Sequence, residues 1–260
     1  MEHDRILFND IGEVIFMYEY KKSKETIESI LNSPTKILEK DFVPSSDSEF
    51  TYENGITAWV GALFVDIVDS SSIFQSPNED TARKIRCFCS EIISILKDDS
   101  NYREIGIRGD CVYCIYNSPY QTDLVEIFRH AYRINSFMNM LNKLLLNNGY
   151  STLRAGIGLG CSQDLIIKAG QNGSGINDRI WIGKAVVDAA HLSGVANRNG
   201  ISEIAMSPLF YNNTFELLCK ENEKYKSWII PHSYGYHGSI DYYHCSIIET
   251  TFDKWIKEHI

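Results

Sequence analysis

At 260 residues with 44% hydrophobic side chains, the chain is long enough to bury a substantial core as one domain with extensions. Its net charge of −9 excludes broad electrostatic binding to nucleic acid or to an anionic membrane, so a phosphate-handling site needs metal or local basic residues. No apolar run reaches about 18 residues and no leader pattern opens the sequence, which predicts no membrane span, no secretion and a cytoplasmic protein. Seven cysteines, an odd number in a chain this large, read as reduced thiols. Cys111 and Cys114 form a lone C-x-x-C without a second pair at zinc-finger spacing and read as strand packing.

Residues 1–60 read as an N-terminal extension, a dimerisation arm or a packing segment. Within it, residues 11–20 are apolar-rich. Residues 21–32 predict a charged helix with Ile27, Ile30 and Leu31 on one face, stopped before Pro34, and residues 44–49 predict a loop. Tyr52 and Trp59 stand just before the first strong strand, either as filler or as the lining of a base pocket.

That strand is residues 62–72, ALFVDIVDSSS, an apolar run that meets Asp66 and then turns through Asp69, Ser70, Ser71 and Ser72. A carboxylate at the carboxyl end of a rigid strand can hold a divalent cation, and the serine-rich turn offers backbone N–H groups to phosphate. Residues 78–97 predict a helix capped by Asn78. Residues 105–116, IGIRGDCVYCIY, then predict a hairpin through Gly109–Asp110. Asp110 is either a turn former or the second of two strand-borne carboxylates that a two-metal phosphoryl-transfer site requires.

Residues 123–146 carry apolar positions at three and four, ending at Asn148–Gly149. The order strand, helix, strand, strand, helix, strand is the split βαβ pattern of a ferredoxin-like domain. Residues 153–168 predict a further hairpin-like pair. Its first strand carries Arg154, which needs an anion, either a core-edge carboxylate or a bound ligand. Residues 169–177 read as a connector or lid, and residues 182–193 as a strand end, Gly183 and a helix. A strand at residues 201–206, a helix at 208–219, and β-like runs near 228–230 and 242–248 complete the sheet.

Four ordered stretches, FVDIVDSSS, IRGDCVYC, LRAGIGLG and WIGKAVVDAAHLSG, resemble the class III nucleotide cyclases in order and spacing. The resemblance covers residues 61–250 and leaves 251–260 as a tail. It implies an α+β, ferredoxin-like cyclase domain with an antiparallel-rich central sheet flanked by helices. It further implies a homodimer with sites at the interface, turning a nucleoside triphosphate into a 3′,5′-cyclic monophosphate plus pyrophosphate. By the same resemblance the site takes two Mg²⁺ or Mn²⁺ ions, one held by Asp66, Asp110 and the Ile67 carbonyl and a second bridging the substrate phosphates. The turn from Ile67 through Asp69 to Ser72 cradles phosphates, and Arg154 contacts the triphosphate.

The chain departs from the family pattern in three places. The two purine-reading positions are Gly106 and Ile180, neither of which has a side chain that hydrogen-bonds a base. The helix positions that offer Asn and Arg to the transition state are Val187 and His191, leaving His191 or Arg198 as substitutes. Loss of purine readout with both Asp residues kept resembles the Pycsar-type bacterial pyrimidine cyclases, in which Tyr52 or Tyr113 would close a smaller pocket. That group implies UTP as substrate, an antiphage second messenger and a separate effector that senses it. The alternatives are CTP, a purine triphosphate, or nucleotide binding without turnover. Polymerase-like chemistry on a related fold is disfavoured by the acidic charge.

Overall fold

The computed structural model describes residues 18–75, 77–233 and 240–260, so the apolar stretch at residues 11–20 lies largely outside the described residues. The chain divides into two compact units, Met1–Thr35 and Lys36–Ile260. In the first unit, α1 (Tyr20–Asn32) is the helix expected from its spacing, with Ile27, Ile30 and Leu31 exposed and a Lys24–Glu28 ion pair at 2.8 Å.

The second unit runs β1 (Lys36–Glu39), β2 (Asn54–Ile67), α2 (Ser70–Phe74), α3 (Glu79–Leu96), β3 (Tyr102–Arg108), β4 (Cys111–Asn117), α4 (Gln121–Asn147) and β5 (Ala155–Gly170). It continues with β6 (Asn177–Ile182), α5 (Lys184–Val195), β7 (Ile204–Met206), α6 (Pro208–Glu221), β8 (Ile230–His232), β9 (Tyr242–Cys245) and α7 (Thr250–His259). Among the described residues the strands form one nine-stranded sheet in the order β3-β4-β2-β5-β7-β9-β8, with β1 on β2 and β6 on β5. The central β3-β4-β2-β5 order, with α3 and α4 as crossovers, is the ferredoxin-like arrangement.

The local signals act where they stand. Asn78 Oδ1 accepts the Thr81 amide at 2.8 Å and starts α3, and Gly109, at φ +61°, makes the β3–β4 turn. Three expectations need correction. Residues 153–168 are not a hairpin: β5 is one 16-residue strand whose hairpin partner is β6, and Arg154 precedes it. The boundary drawn at residue 60 falls inside β2. Residues 251–260 are no loose tail, since α7 buries Ile256.

Alternation along β2 divides its side chains between two faces. Leu63, Val65 and Ile67 join the larger core, with Phe88 and Ile92 of α3, Phe128 and Ile134 of α4 and Phe210 of α6. Ala62 joins the second cluster with Ala185 and Ala189 of α5, and Phe64 packs against it. Here α5 lies directly on β5: a Cβ at Gly156, Gly158 or Gly160 would overlap the carbonyl oxygens of Ser193, Ala189 or Ala185. Three alternate glycines thus let the helix backbone sit on the strand, and this fixes where the loop after α5 emerges.

Candidate functional site

Asp66 ends the second face of β2. In the antiparallel register it stands opposite Cys111, the residue after Asp110, so the β3–β4 turn brings the second carboxylate beside the first. Burial pushes the Asp66 carboxyl above the ordinary carboxylate range, the nearby Asp110 charge adds to this, and a hydrogen bond from Arg198 opposes it. The Cys111 thiol is pushed up to about 12, chiefly by burial and then by Asp66, and stays a thiol at neutral pH.

From the sequence, Arg198 is only a substitute for the helix arginine. The structure puts it elsewhere. Its Nη2 donates to Asp66 Oδ2 at 2.8 Å and to the Ile67 carbonyl at 3.2 Å, and its Nη1 donates to the Ser193 and Ala196 carbonyls at 2.9 and 3.0 Å. The side chains of both partners are about a fifth to a quarter exposed. Asn197, Asn199 and Gly200 adopt left-handed backbone, so the run ANRNG was the signal for a tight loop, though not for its target.

The same loop holds Arg154. Its guanidinium donates to the carbonyl and to Oδ1 of Asn197, so in this structure its anion is replaced by amide oxygens. The turn after β2 forms as expected. Asp69, at φ +58°, precedes α2, the Ser72 amide and hydroxyl both donate to its carbonyl, and the Val68 amide donates to Arg154 O. Those two amides are engaged, whereas the first-turn amides at Ser70 and Ser71 have no acceptor within a helix.

Other expected residues lie apart from this cluster. Tyr52 precedes β2 and carries Lys168 Nζ 5.6 Å above its ring, roughly 40 Å along the strand from Asp66. His191 faces a groove shared with Asp188, Ser207, Leu209 and Tyr242. Within one chain neither joins Asp66.

At the purine-reading positions the structure supplies a reason for the glycine. A Cβ on Gly106 would strike the ring and hydroxyl of Tyr113 at 2.5 to 2.6 Å, because that ring lies across the glycine, stacked on Phe64 with centroids 5.1 Å apart. Tyr113 donates to Glu104 Oε1 and Trp181 Nε1 donates to Glu104 Oε2, each at 2.7 Å. Burial and the Glu104 carboxylate push the Tyr113 hydroxyl up to about 12, so it remains a donor. Trp181 and Arg179 point to this side; by strand alternation Ile180, which is exposed, points to the other. Glu104 and Trp181 were not foreseen, since their meeting joins β3 to β6 across 77 residues.

A divalent cation fits the donor set at the end of β2: two carboxylates and a backbone carbonyl, with a guanidinium already drawn to two of those oxygens. Among the described residues no cluster of three or more His, Cys, Asp or Glu side chains is placed to hold a metal. One or two carboxylates completed by substrate phosphates is the habit of Mg²⁺ rather than of an all-protein cage. No described helix is long and apolar enough to cross a membrane.

No protein-family model matches the chain. It is 39% identical over 257 residues to a uridylate cyclase of Treponema porcinum, covering 98% of this chain and 86% of that one. It is 27% identical over 253 residues to a uridylate cyclase of Gulbenkiania mobilis, covering 93% and 97%. Its fold is similar to a class III adenylyl cyclase-like ATP-binding protein from Pseudomonas aeruginosa, with a TM-score of 0.61 and 19% identity over 77% of this chain and 44% of that one. The adenylyl cyclase CyaB of P. aeruginosa gives a TM-score of 0.57 and 17% identity over 74% and 95%. At these identities the structural likenesses establish the fold, which is that of the class III cyclases.

Proposed function

Since the chain belongs to the uridylate cyclase family, with the class III nucleotide cyclase fold, we propose that it converts UTP to 3′,5′-cyclic UMP and pyrophosphate. The observation that carries this reading is the pairing of an intact strand-end carboxylate cluster with a Tyr113 ring in the space above Gly106. The nucleophile is the ribose 3′-hydroxyl of the substrate, so the protein's task is to position and neutralise. Asp66, Asp110 and the Ile67 carbonyl would hold one of two divalent ions, the second bridging the substrate phosphates. Bound Mg²⁺ or Mn²⁺ would supply activation of the 3′-hydroxyl and neutralisation of the phosphates.

The amides at Ser70 and Ser71 are proposed to meet phosphate oxygens, with Arg154 leaving Asn197 to add charge. The ring of Tyr113 narrows the base pocket, which favours a pyrimidine over a purine. Active sites at the interface of a head-to-tail homodimer would bring Tyr52, Ile180 and His191 to the partner's substrate, which accounts for their distance from Asp66 in one chain. A cytoplasmic enzyme whose cyclic product is read by a separate antiphage effector completes the proposal.

A second reading, triphosphate binding without turnover, draws on the exposed Val187 and on His191 at the places of the usual transition-state Asn and Arg. Incubating the purified protein with ATP, GTP, CTP and UTP separately, with Mg²⁺ or Mn²⁺, and resolving the products by chromatography and mass tests both. Cyclic UMP, reduced by roughly 10³-fold in Asp66→Ala and Asp110→Ala, is expected. Cyclic CMP would move the base assignment, a cyclic purine would overturn the pocket argument, and no product would favour the binding reading.

A further inference from the structure

Arg198 stands on the two oxygens that matter most. Its Nη2 lies 2.8 Å from Asp66 Oδ2 and 3.2 Å from the Ile67 carbonyl, the pair at the end of β2 assigned above to a cation. Nη1 is anchored on the Ser193 and Ala196 carbonyls at the carboxyl end of α5, where the helix dipole favours positive charge. Three of its four acceptors are therefore main-chain oxygens, and the fourth is a carboxylate.

The loop behind it is built rather than loose. Asn197 donates through Nδ2 to the Ala155 carbonyl at 3.0 Å and through its amide to Ser202 O at 2.9 Å, and Ile201 N donates to Arg198 O at 2.9 Å. With α5 pressed onto the glycines of β5, the guanidinium is delivered to Asp66 by the fold. A guanidinium 2.8 Å from Asp66 Oδ2 and a divalent cation about 2.1 Å from the same oxygens compete for their lone pairs and repel each other at close range. Binding of the ion therefore favours release of the guanidinium.

We propose that Arg198 is a displaceable plug of the cation site, its guanidinium standing in for the divalent ion between Asp66 and Ile67 until a metal and triphosphate expel it. Its exit has a destination. Arg154, just before β5, already reaches Asn197 of this loop, so a released Arg198 joins a second guanidinium on the side where phosphate oxygens, which accept bidentate pairs, would lie. Metal alone then binds weakly, and metal with triphosphate binds together, because only the triphosphate offers the displaced guanidinium a new anion. The inference rests on the cation assignment made under the proposed function.

Titrating the full chain with Mn²⁺ in the absence of nucleotide, by calorimetry and by loss of the free-ion paramagnetic signal, tests it. Arg198→Gln is expected to bind Mn²⁺ about 5- to 10-fold more tightly than the wild type, the scale of one partly exposed charge-assisted bond. Its thermal midpoint should also rise further on adding Mn²⁺ than that of the wild type. Asp66→Asn, alone or with Arg198→Gln, should lose this binding. Equal Asp66-dependent affinities in wild type and Arg198→Gln would overturn the plug while leaving the cation assignment intact. Mn²⁺ binding indifferent to Asp66 would overturn both. Should Arg198→Gln not fold, Arg198→Lys, a single point charge unable to hold both pairs of oxygens, is expected to bind Mn²⁺ more tightly than wild type; no gain would count against the plug.

Discussion

Asp66 and Phe64 are two residues apart on β2 and face the same side of the sheet, yet they are finished in different ways. Around Asp66, which retains some exposure, the neutralising group is a long cationic side chain, Arg198, that a stronger cation can displace. Around Phe64 the space is filled by the Tyr113 ring, and the Glu104 carboxylate below it has both oxygens engaged, by Tyr113 and Trp181. Exchange of partners is built into the first region. The second is sealed by shape. An ion pair kept near solvent can exchange partners, while a space filled with rings held by neutral donors has no room for a further group.

Gly106→Lys attacks the sealed region most directly. The new side chain must enter the space of the Tyr113 ring, which should cost about 1–3 kcal/mol and lower the thermal midpoint by roughly 3–10 °C. Adding Tyr113→Ala should recover most of that midpoint and raise turnover of ATP relative to UTP, as product analysis would register. A midpoint unchanged in the single variant would mean that the ring does not occupy the pocket.

Glu104→Gln is milder. The amide oxygen must serve Trp181 Nε1, which only donates, while the NH2 turns to the Tyr113 hydroxyl, and both bonds lose the carboxylate's charge, so about 1–2 kcal/mol of stability should be lost in urea unfolding, and less in a variant already carrying Tyr113→Phe.

The smallest effect compares two carboxylates. Burial raises Asp164 as it raises Asp66, but its hydrogen-bond partners are neutral, the Ser162 hydroxyl and the amides of Ala185 and Val186, while the Asp188 charge adds to the rise and Oδ2 lacks a hydrogen-bond partner. A carboxyl raised on folding contributes stability that is complete below its unfolded value of 3.8 and is lost as pH rises through its folded value. The wild type should therefore lose stability relative to Asp164→Asn on going from acid toward neutral pH. Parallel urea midpoints for the two proteins across that range would contradict the assignment.

The sequence by itself determined whatever depends on neighbours along the chain. The apolar run into Asp66, the Gly109–Asp110 turn, the Asn78 cap and the three-and-four spacing of α4 specify their elements through local sterics and burial, and the order of those elements specifies the ferredoxin-like sheet. It misled at β5, where residues 153–168 read as a hairpin-like pair but form one strand whose glycines at 156, 158 and 160 admit the backbone of α5. Tertiary structure alone decided which groups share a site. Arg198 meets Asp66 across 132 residues, Trp181 meets Glu104 across 77, and Arg154 spends its charge on Asn197 across 43. None of these pairings has a local signature, because a guanidinium's partner is set by where a packed helix releases the chain that carries it.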